Sequence, residues 1–514
     1  MSLFRKRFLP PVALAAGATL VLGLTPAAAA VSTVPDGPAL AKQLVKKVDV
    51  NGVNRHLIAL QRIADTNGGT RAASTDGHKK SAEYIATKLE AAGFQVTRQE
   101  FPFTYAETLA EKLTAGGANV PIIAMEYTPS TPVGGITAPL SVVAVDDTSG
   151  CEATDYTADV AGKIALIKRG GCSFAQKQAT AAAAGAIGAI VYNNTDGDLN
   201  GTLGDPADAK IPTGGVTAAA GAQLATLGGQ AVTLELRAFQ EARTSYNVIA
   251  ETKTGRKDNV VMLGSHLDSV PAGPGINDNG SGSAALLETA LQLGSSPKAN
   301  NAVRFGFWSA EEFGLIGSTY YVDSLSFEQQ LDIALYLNFD MIGSPNAGYF
   351  AYDGDNSDGV GAGPGPYGSA QIEKTFVDFM QAARGVSLEG TDFTGRSDYG
   401  EFIAVGIPAG GLDTGAEVLK TPAQAAKWGG TAGIAFDPCY HQACDNLGNI
   451  DRVALDRNSD GLAWALGVYA TSTESVNGVK PGKAKTAKQK AAERGAQRNF
   501  SARAVAGDPH ALTA

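Results

Sequence analysis

The chain has 514 residues, 44% of them hydrophobic and 18% charged, and a formal net charge of −10. That balance excludes an intrinsically disordered chain, and the acidic excess argues against a nucleic-acid partner. The length admits two domains with appendages.

Taken from the N-terminus, Arg5, Lys6 and Arg7 precede an apolar run, Val12–Leu24, and the small residues Thr25–Ala30 follow it. This is the pattern of an export signal over residues 1–30, too short in its apolar part to span a bilayer comfortably. The mature chain is therefore expected to be secreted and extracellular, without a membrane anchor, and to act as a monomer. Residues 31–115 open a first domain. Val53–Asp65 and Gly77–Ala92 have apolar residues at helical spacing, Gly93 ends the second helix, and Phe94–Phe103 alternates like an antiparallel strand. Residues 116–244 form an insert with its own pattern: strands at Leu140–Val145, Gly162–Arg169 and Ala186–Asn193, and an alanine-rich helix at Ser173–Ala184. No set of catalytic residues falls within it.

Residues 245–475 carry the chemistry. Asn259–Gly264, Ala302–Trp308 and Ile333–Phe339 are short, continuous apolar runs, as expected of parallel strands covered on both faces. His266 follows the first, Glu311 and Glu312 the second, and Asp340 the third. Sites in open α/β sheets form beyond the carboxyl ends of the strands, so three strands deliver polar residues to one edge. Asp278 sits in the glycine-rich GINDNGSG, just before a helical stretch at Ser283–Leu293, and His441 lies in CYHQAC. Two imidazoles and four carboxylates can hold two zinc ions, one carboxylate bridging them and one left over as a base. Each piece has a bland reading: a Glu-Glu pair often opens a solvated helix, and Gly, Asn and Asp favour turns. Their joint order, three at strand ends, is hard to assign to chance. The four cysteines pair most economically as Cys151–Cys172 and Cys439–Cys444, in keeping with an oxidising compartment.

The strings HLDSV, GINDNGSG, AEE, NFDMIG and CYH make the chain resemble the secreted bacterial di-zinc aminopeptidases, leucine aminopeptidase-like relatives of glutamate carboxypeptidase and the transferrin receptor. The insert, through GKIALIKRGGCSF and AAGAIGAIVYNN, resembles the protease-associated domain of exported peptidases. The resemblance implies an α/β zinc exopeptidase fold: a mixed, largely parallel sheet covered by helices, with that small domain set into it. It implies that His266 and Asp340 bind one zinc, Glu312 and His441 the other, and that Asp278 bridges them. Glu311 is then the general base, Tyr440 the oxyanion donor and Arg396 a residue lining the substrate site. It also implies a cis peptide bond at Asp278–Asn279 and a disulfide between Cys439 and Cys444 beside His441. The expected reaction is removal of the N-terminal residue from peptides with a free N-terminus, large apolar or basic residues being accepted. Asp413 in GGLDTG stands where relatives preferring apolar residues carry an aromatic, so it is expected to favour Lys or Arg. Asp456 and Asp460 match positions that bind calcium in some relatives, making calcium a candidate cofactor. The alternatives are a carboxypeptidase or amidohydrolase on the same fold, or a non-catalytic exported peptide-binding protein.

Residues 476–514 close the chain as a basic tail. From Gly478 it has a net charge of +6, which leaves −19 for Val31–Asn477. Few large apolar residues occur in it, so it is expected to be mobile and is a candidate propeptide.

Overall fold

The computed structural model describes residues 37–507 except 147, 196, 205 and 362, with side chains described up to 497. The expected export signal lies outside the described residues. A mixed sheet of 14 strands runs through the molecule. Six strands frame the site: β1 (Gln95–Ala115), β2 (Ala231–Glu251), β3 (Arg256–His266), β4 (Asn301–Trp308), β5 (Ile333–Phe339) and β6 (Ala409–Asp413). β3 lies between β4 and β5, parallel to both, and β6 extends the parallel set beyond β5. β2 closes the far side of β4 in antiparallel sense, and β1 pairs with β2 along nearly its whole length.

Successive strand residues point to opposite faces. Val261 and Leu263 of β3 join Val303, Phe305, Leu335 and Leu337 in one core, while Met262 joins Trp308, Tyr336 and Phe402 in another. Both faces are therefore apolar, which is why these strands read as unbroken hydrophobic runs. The helices Val50–Asp65, Gly282–Leu293 and Arg452–Thr471 cover the first face, and Ile316–Ser324 and Tyr399–Ala404 the second. Burying each such side chain contributes about 1.5–3 kcal/mol relative to leaving it exposed. The first two predicted helices form as Val50–Asp65 and Asp76–Ala91. Asp49 and Thr75 cap them, their side chains accepting hydrogen bonds from the free N–H groups of the first turn.

The insert builds a second, smaller core on the same sheet. Ile136–Val142 runs antiparallel to the start of β2, and Ile164–Lys168, Gly188–Tyr192 and Thr213–Val216 follow in parallel. Leu140, Leu166, Ile190 and Leu234 pack together there. β2 serves both cores, burying Leu234 and Leu236 in the insert and Val248 and Ala250 in the main body. A continuous 21-residue strand, rather than a loose linker, thus joins the two. The insert also reaches the catalytic edge, where the Tyr127 hydroxyl donates to the carbonyl of Phe313 at 2.9 Å.

Part of the basic tail has regular structure. A helix, Ala487–Gly507, follows a reciprocal cap in which Gln489 N donates to Thr486 Oγ1 and Thr486 N donates to Gln489 Oε1. Lys485 is buried, donates to Leu331 O at 2.6 Å and pairs with Glu493, while Arg494 pairs with Glu328. The segment docks through charged and capped groups, which a count of large apolar residues does not register. Among the described residues, no helix is long and apolar enough to cross a membrane.

Candidate active site

The parallel register brings the strand ends to one edge. Trp308 lies opposite His266, Asn338 opposite Gly264, and Leu412 opposite Phe339. His266 therefore ends β3, Glu311 and Glu312 follow β4, Asp340 follows β5 and Asp413 ends β6. The glycines of β6 are needed for this closeness: a Cβ on Gly411 would stand 1.9 Å from the carbonyl oxygen of Asn338. The loop after β4 is held from β2. Asn247 accepts from Ser309 N at 3.1 Å and donates to Gly317 O at 2.8 Å.

The six donors expected from sequence converge. His266 Nε2 lies 3.2 Å from Asp278 Oδ1 and 3.2 Å from Asp340 Oδ1, with Glu311 Oε2 further off at 4.0 Å. His441 Nε2 lies 3.2 Å from Asp278 Oδ2 and 3.1 Å from Glu312 Oε2. Asp278 thus turns one oxygen to each imidazole. His266 is buried at the floor, whereas the His441 side chain is 42% exposed at the mouth. The Asp278–Asn279 peptide bond is cis. Ala310, Met341 and His441 adopt left-handed backbone conformations, each at or beside a donor. Such backbone costs about 1–3 kcal/mol and persists where the surroundings over-determine it.

Electrostatics mark the same place. Burial opposes charging His266, but Asp340 and Glu311 outweigh it and lift its pKa well above the usual imidazole value. His441 is pushed up to about 11: burial works against protonation, and Glu312 and Asp278 overcome it. Burial, reinforced by Asp340, Asp398 and Glu312, raises Glu311 well above the carboxylate range. Burial and then Asp278 bring Glu312 to about 7. Asp278 shifts the other way; burial opposes its ionisation, but His266 and His441 hold it low. Glu312 Oε1 is buried with no hydrogen-bond partner. The pocket gathers four carboxylates around two imidazoles, an anionic set that cations would neutralise, and imidazole nitrogen with carboxylate oxygen suits zinc. The donor set therefore fits a zinc centre.

Tyr440 stacks on His441 with ring centroids 3.8 Å apart, and its hydroxyl is 3.5 Å from Arg396 Nη2. Arg396 also reaches Glu417 at 3.1 Å. The Cys439–Cys444 disulfide closes the loop that holds Tyr440 and His441, and Cys151–Cys172 closes one in the insert. Asp413 accepts from Gly415 N, and burial raises its pKa to about 7. Among the described residues no Lys or Arg forms an ion pair with it. The carboxylate of Asp460, considered for calcium, pairs with Arg384.

Several buried neighbours escape a sequence reading. Asp268 Oδ1 lies 3.7 Å from His266 Nδ1, and Ser397 donates to Asp340 Oδ2 at 2.6 Å. Asp445 accepts from the backbone of Asn277 and Asp278, and Arg71 lies beneath both loops. Proximity within HLDSV and GRSD marks the first two; nothing local marks Arg71.

Comparison with known proteins places these features in context. A model of Peptidase family M28 matches residues 247–465, and one of the PA domain matches residues 136–224. A probable lipoprotein aminopeptidase, LpqL, of Mycobacterium tuberculosis is 49% identical over 454 residues, covering 87% of this chain and 90% of its own. Leucine aminopeptidase 2 of Arthroderma otae is 47% identical over 82% of this chain and 83% of its own. Among solved structures, an aminopeptidase from Aneurinibacillus sp. strain AM-1 has a TM-score of 0.67 at 30% identity, covering 83% of this chain and 95% of that one. A zinc aminopeptidase from Bacillus subtilis has a TM-score of 0.55 at 28% identity, covering 84% and 95%.

Proposed function

Because the chain belongs to peptidase family M28, as an aminopeptidase with an inserted PA domain, we propose that it releases N-terminal residues from peptides with a co-catalytic pair of zinc ions. The observation that carries the two-metal reading is Asp278, whose two oxygens each lie 3.2 Å from a different histidine. His266 and Asp340 would hold one zinc and Glu312 and His441 the other, with Asp278 shared between the two. Glu311, set back from His266, is left as the base. Bound there, zinc supplies Lewis acidity towards the scissile carbonyl and makes water a better nucleophile at neutral pH.

The protein's own groups do the rest. The substrate's free amine faces the carboxylates of Glu311 and Asp340, which reward a positive charge at the peptide's N-terminus. Glu311 takes a proton from water as the water oxygen bonds to the scissile carbon. The Tyr440 hydroxyl donates to the oxyanion that develops. As the C–N bond breaks, Glu311 returns the proton to the leaving amine. Arg396 holds the Tyr440 side of the cleft. The insert covers part of the cleft and limits substrate size; its Tyr127 contact with the residue next to Glu312 supports this.

The protein is exported and free of the membrane in this reading. Its two disulfides suit an oxidising, extracellular compartment. Incubation with one defined peptide is expected to shorten it from the N-terminus only. A strong chelator is expected to abolish the reaction and zinc to restore it, with two equivalents bound by elemental analysis. Shortening from the other end, or hydrolysis of a side-chain amide alone, would favour the carboxypeptidase or amidohydrolase alternative.

Asp413 points the specificity towards basic residues. An apolar side chain has nothing to offer a half-buried carboxylate that forms no ion pair among the described residues, whereas a Lys or Arg completes one. Lys- and Arg-anilides are expected to surpass Leu-anilide in kcat/KM, and Asp413→Phe to reverse the order by roughly 10-fold or more. The fungal relative's name favours leucine. Equal preference in wild type and variant would show that Asp413 takes no part.

A further inference from the structure

Two buried charged residues that the mechanism does not use lie on either side of the Asp278 loop. Arg71, between the first two helices described, is fully buried. Its guanidinium donates to three backbone carbonyls: Pro274 O at 2.7 Å, and Leu267 O and Gly275 O. Leu267 follows His266, and Gly275 opens the turn that leads to Asp278. The same segment is stitched again where Arg71 N donates to Ser269 Oγ at 3.0 Å and Thr70 Oγ1 to Val270 O at 3.1 Å. Burial lowers the Arg71 pKa to about 10, against the pull of Asp445, Asp268, Asp278 and Glu312, so the guanidinium stays cationic at neutral pH beneath an anionic pocket.

Asp445, also buried, holds the other side. Its Oδ1 accepts from Asn277 N at 2.8 Å and its Oδ2 from Asp278 N at 2.9 Å, while its carbonyl accepts from Ile276 N at 3.1 Å. Asn449 Nδ2 steadies the same carboxylate at 3.1 Å. Asp445 directly follows Cys444, the end of the disulfide loop that carries His441. Arg71 therefore ties the His266 segment to the Asp278 loop, and Asp445 ties that loop to the His441 segment.

We propose that Arg71 and Asp445 are positioning residues that set the separation of the two histidines across Asp278, and through it the zinc affinity of the site. The proposal rests on the two-zinc reading. The chemistry suits the task. A planar fork presents its N–H groups to three buried carbonyls in fixed, spread directions, whereas a lysine ammonium carries all three of its N–H groups on one nitrogen. A carboxylate spanning two successive N–H groups fixes the backbone on which Asp278 stands. Outer partners of metal ligands typically change metal affinity or activity by about 10–100-fold when lost.

The test measures zinc dissociation constants by metal-buffered titration for wild type, Arg71→Lys, Asp445→Asn and Phe379→Leu. Phe379 is a buried ring stacked on Trp464 in the main core, so its variant supplies a loss of Tm without touching the loops. Under conditions where circular dichroism shows each protein folded, Arg71→Lys and Asp445→Asn are expected to bind zinc at least about 10-fold more weakly. Phe379→Leu is expected to stay within about two-fold of wild type despite its lower Tm, since it removes none of these contacts. If Arg71→Lys does not fold, Asp445→Asn decides. Clamp variants that bind zinc like wild type, or a Phe379→Leu variant weakened as much as they are, overturn the proposal while the two-zinc reading stands. A wild type that binds no zinc overturns both.

Discussion

Glu311→Ala is expected to keep its zinc and to lose turnover by about 10²–10⁴-fold, the range that a positioned general base supplies. The geometry separates the two properties. Asp278 and Asp340 lie 3.2 Å from His266 Nε2, whereas Glu311 Oε2 lies at 4.0 Å. Asp278, Glu312 and His441 are grouped without Glu311 on the other side. Removing the Glu311 carboxylate should therefore spare the metal donors and remove the proton acceptor. It also removes one of several crowded negative charges, at the cost of only the longer contact to His266 at 4.0 Å. Steady-state kcat with elemental analysis on the same sample checks both halves. A fully active variant would dispose of the base assignment. A variant that loses a zinc equivalent would make Glu311 a ligand, which its position within 4.8 Å of the His266 and Asp340 donor atoms also permits.

Tyr440→Phe is expected to lower kcat by about 10²–10³-fold with little change in KM, because an oxyanion donor acts mainly when charge develops in the transition state. Phenylalanine keeps the ring that stacks on His441, so zinc content and Tm should hold. The hydroxyl suits this task in one specific sense: it accepts from Arg396 Nη2 at 3.5 Å, a cation that leaves the phenol's proton available to donate. Burial, with Asp278 and Glu312, also raises the Tyr440 pKa, which keeps the phenol protonated at working pH. A kcat within about three-fold of wild type would return Tyr440 to the role of a packing residue, since a lost donor normally removes far more.

The parts of the fold legible in the sequence are those with strong local signatures. The runs Asn259–Gly264, Ala302–Trp308 and Ile333–Phe339 fall within β3, β4 and β5 because both faces of each strand are buried and most positions are apolar, with Asn259, Arg304 and Asn338 held by polar partners. Less legible elements are specified by their neighbours. β6 contains two glycines because Asn338 O and the Ile372 side chain approach too closely for any Cβ, and a glycine pair gives no strand pattern. β1 extends well past Phe103 because β2 pairs with it as far as Ala115, a partner 117 residues away along the register Ala115–Val232. The tail helix depends on Glu328 and Leu331 as much as on its own residues.

For the site, strand-end position singled out His266, Glu311, Glu312 and Asp340, while Asp278 and His441 were marked by residue chemistry within GINDNGSG and CYHQAC. Which oxygen of Asp278 faces which imidazole, and how far Glu311 stands back, are set by the register of parallel strands and the disulfide loop, quantities that no local string encodes. Arg71 marks the limit most plainly. It is an ordinary arginine in the linear chain, 195 residues before His266, and acquires a role only when folding removes water from three carbonyls and leaves its guanidinium as their donor.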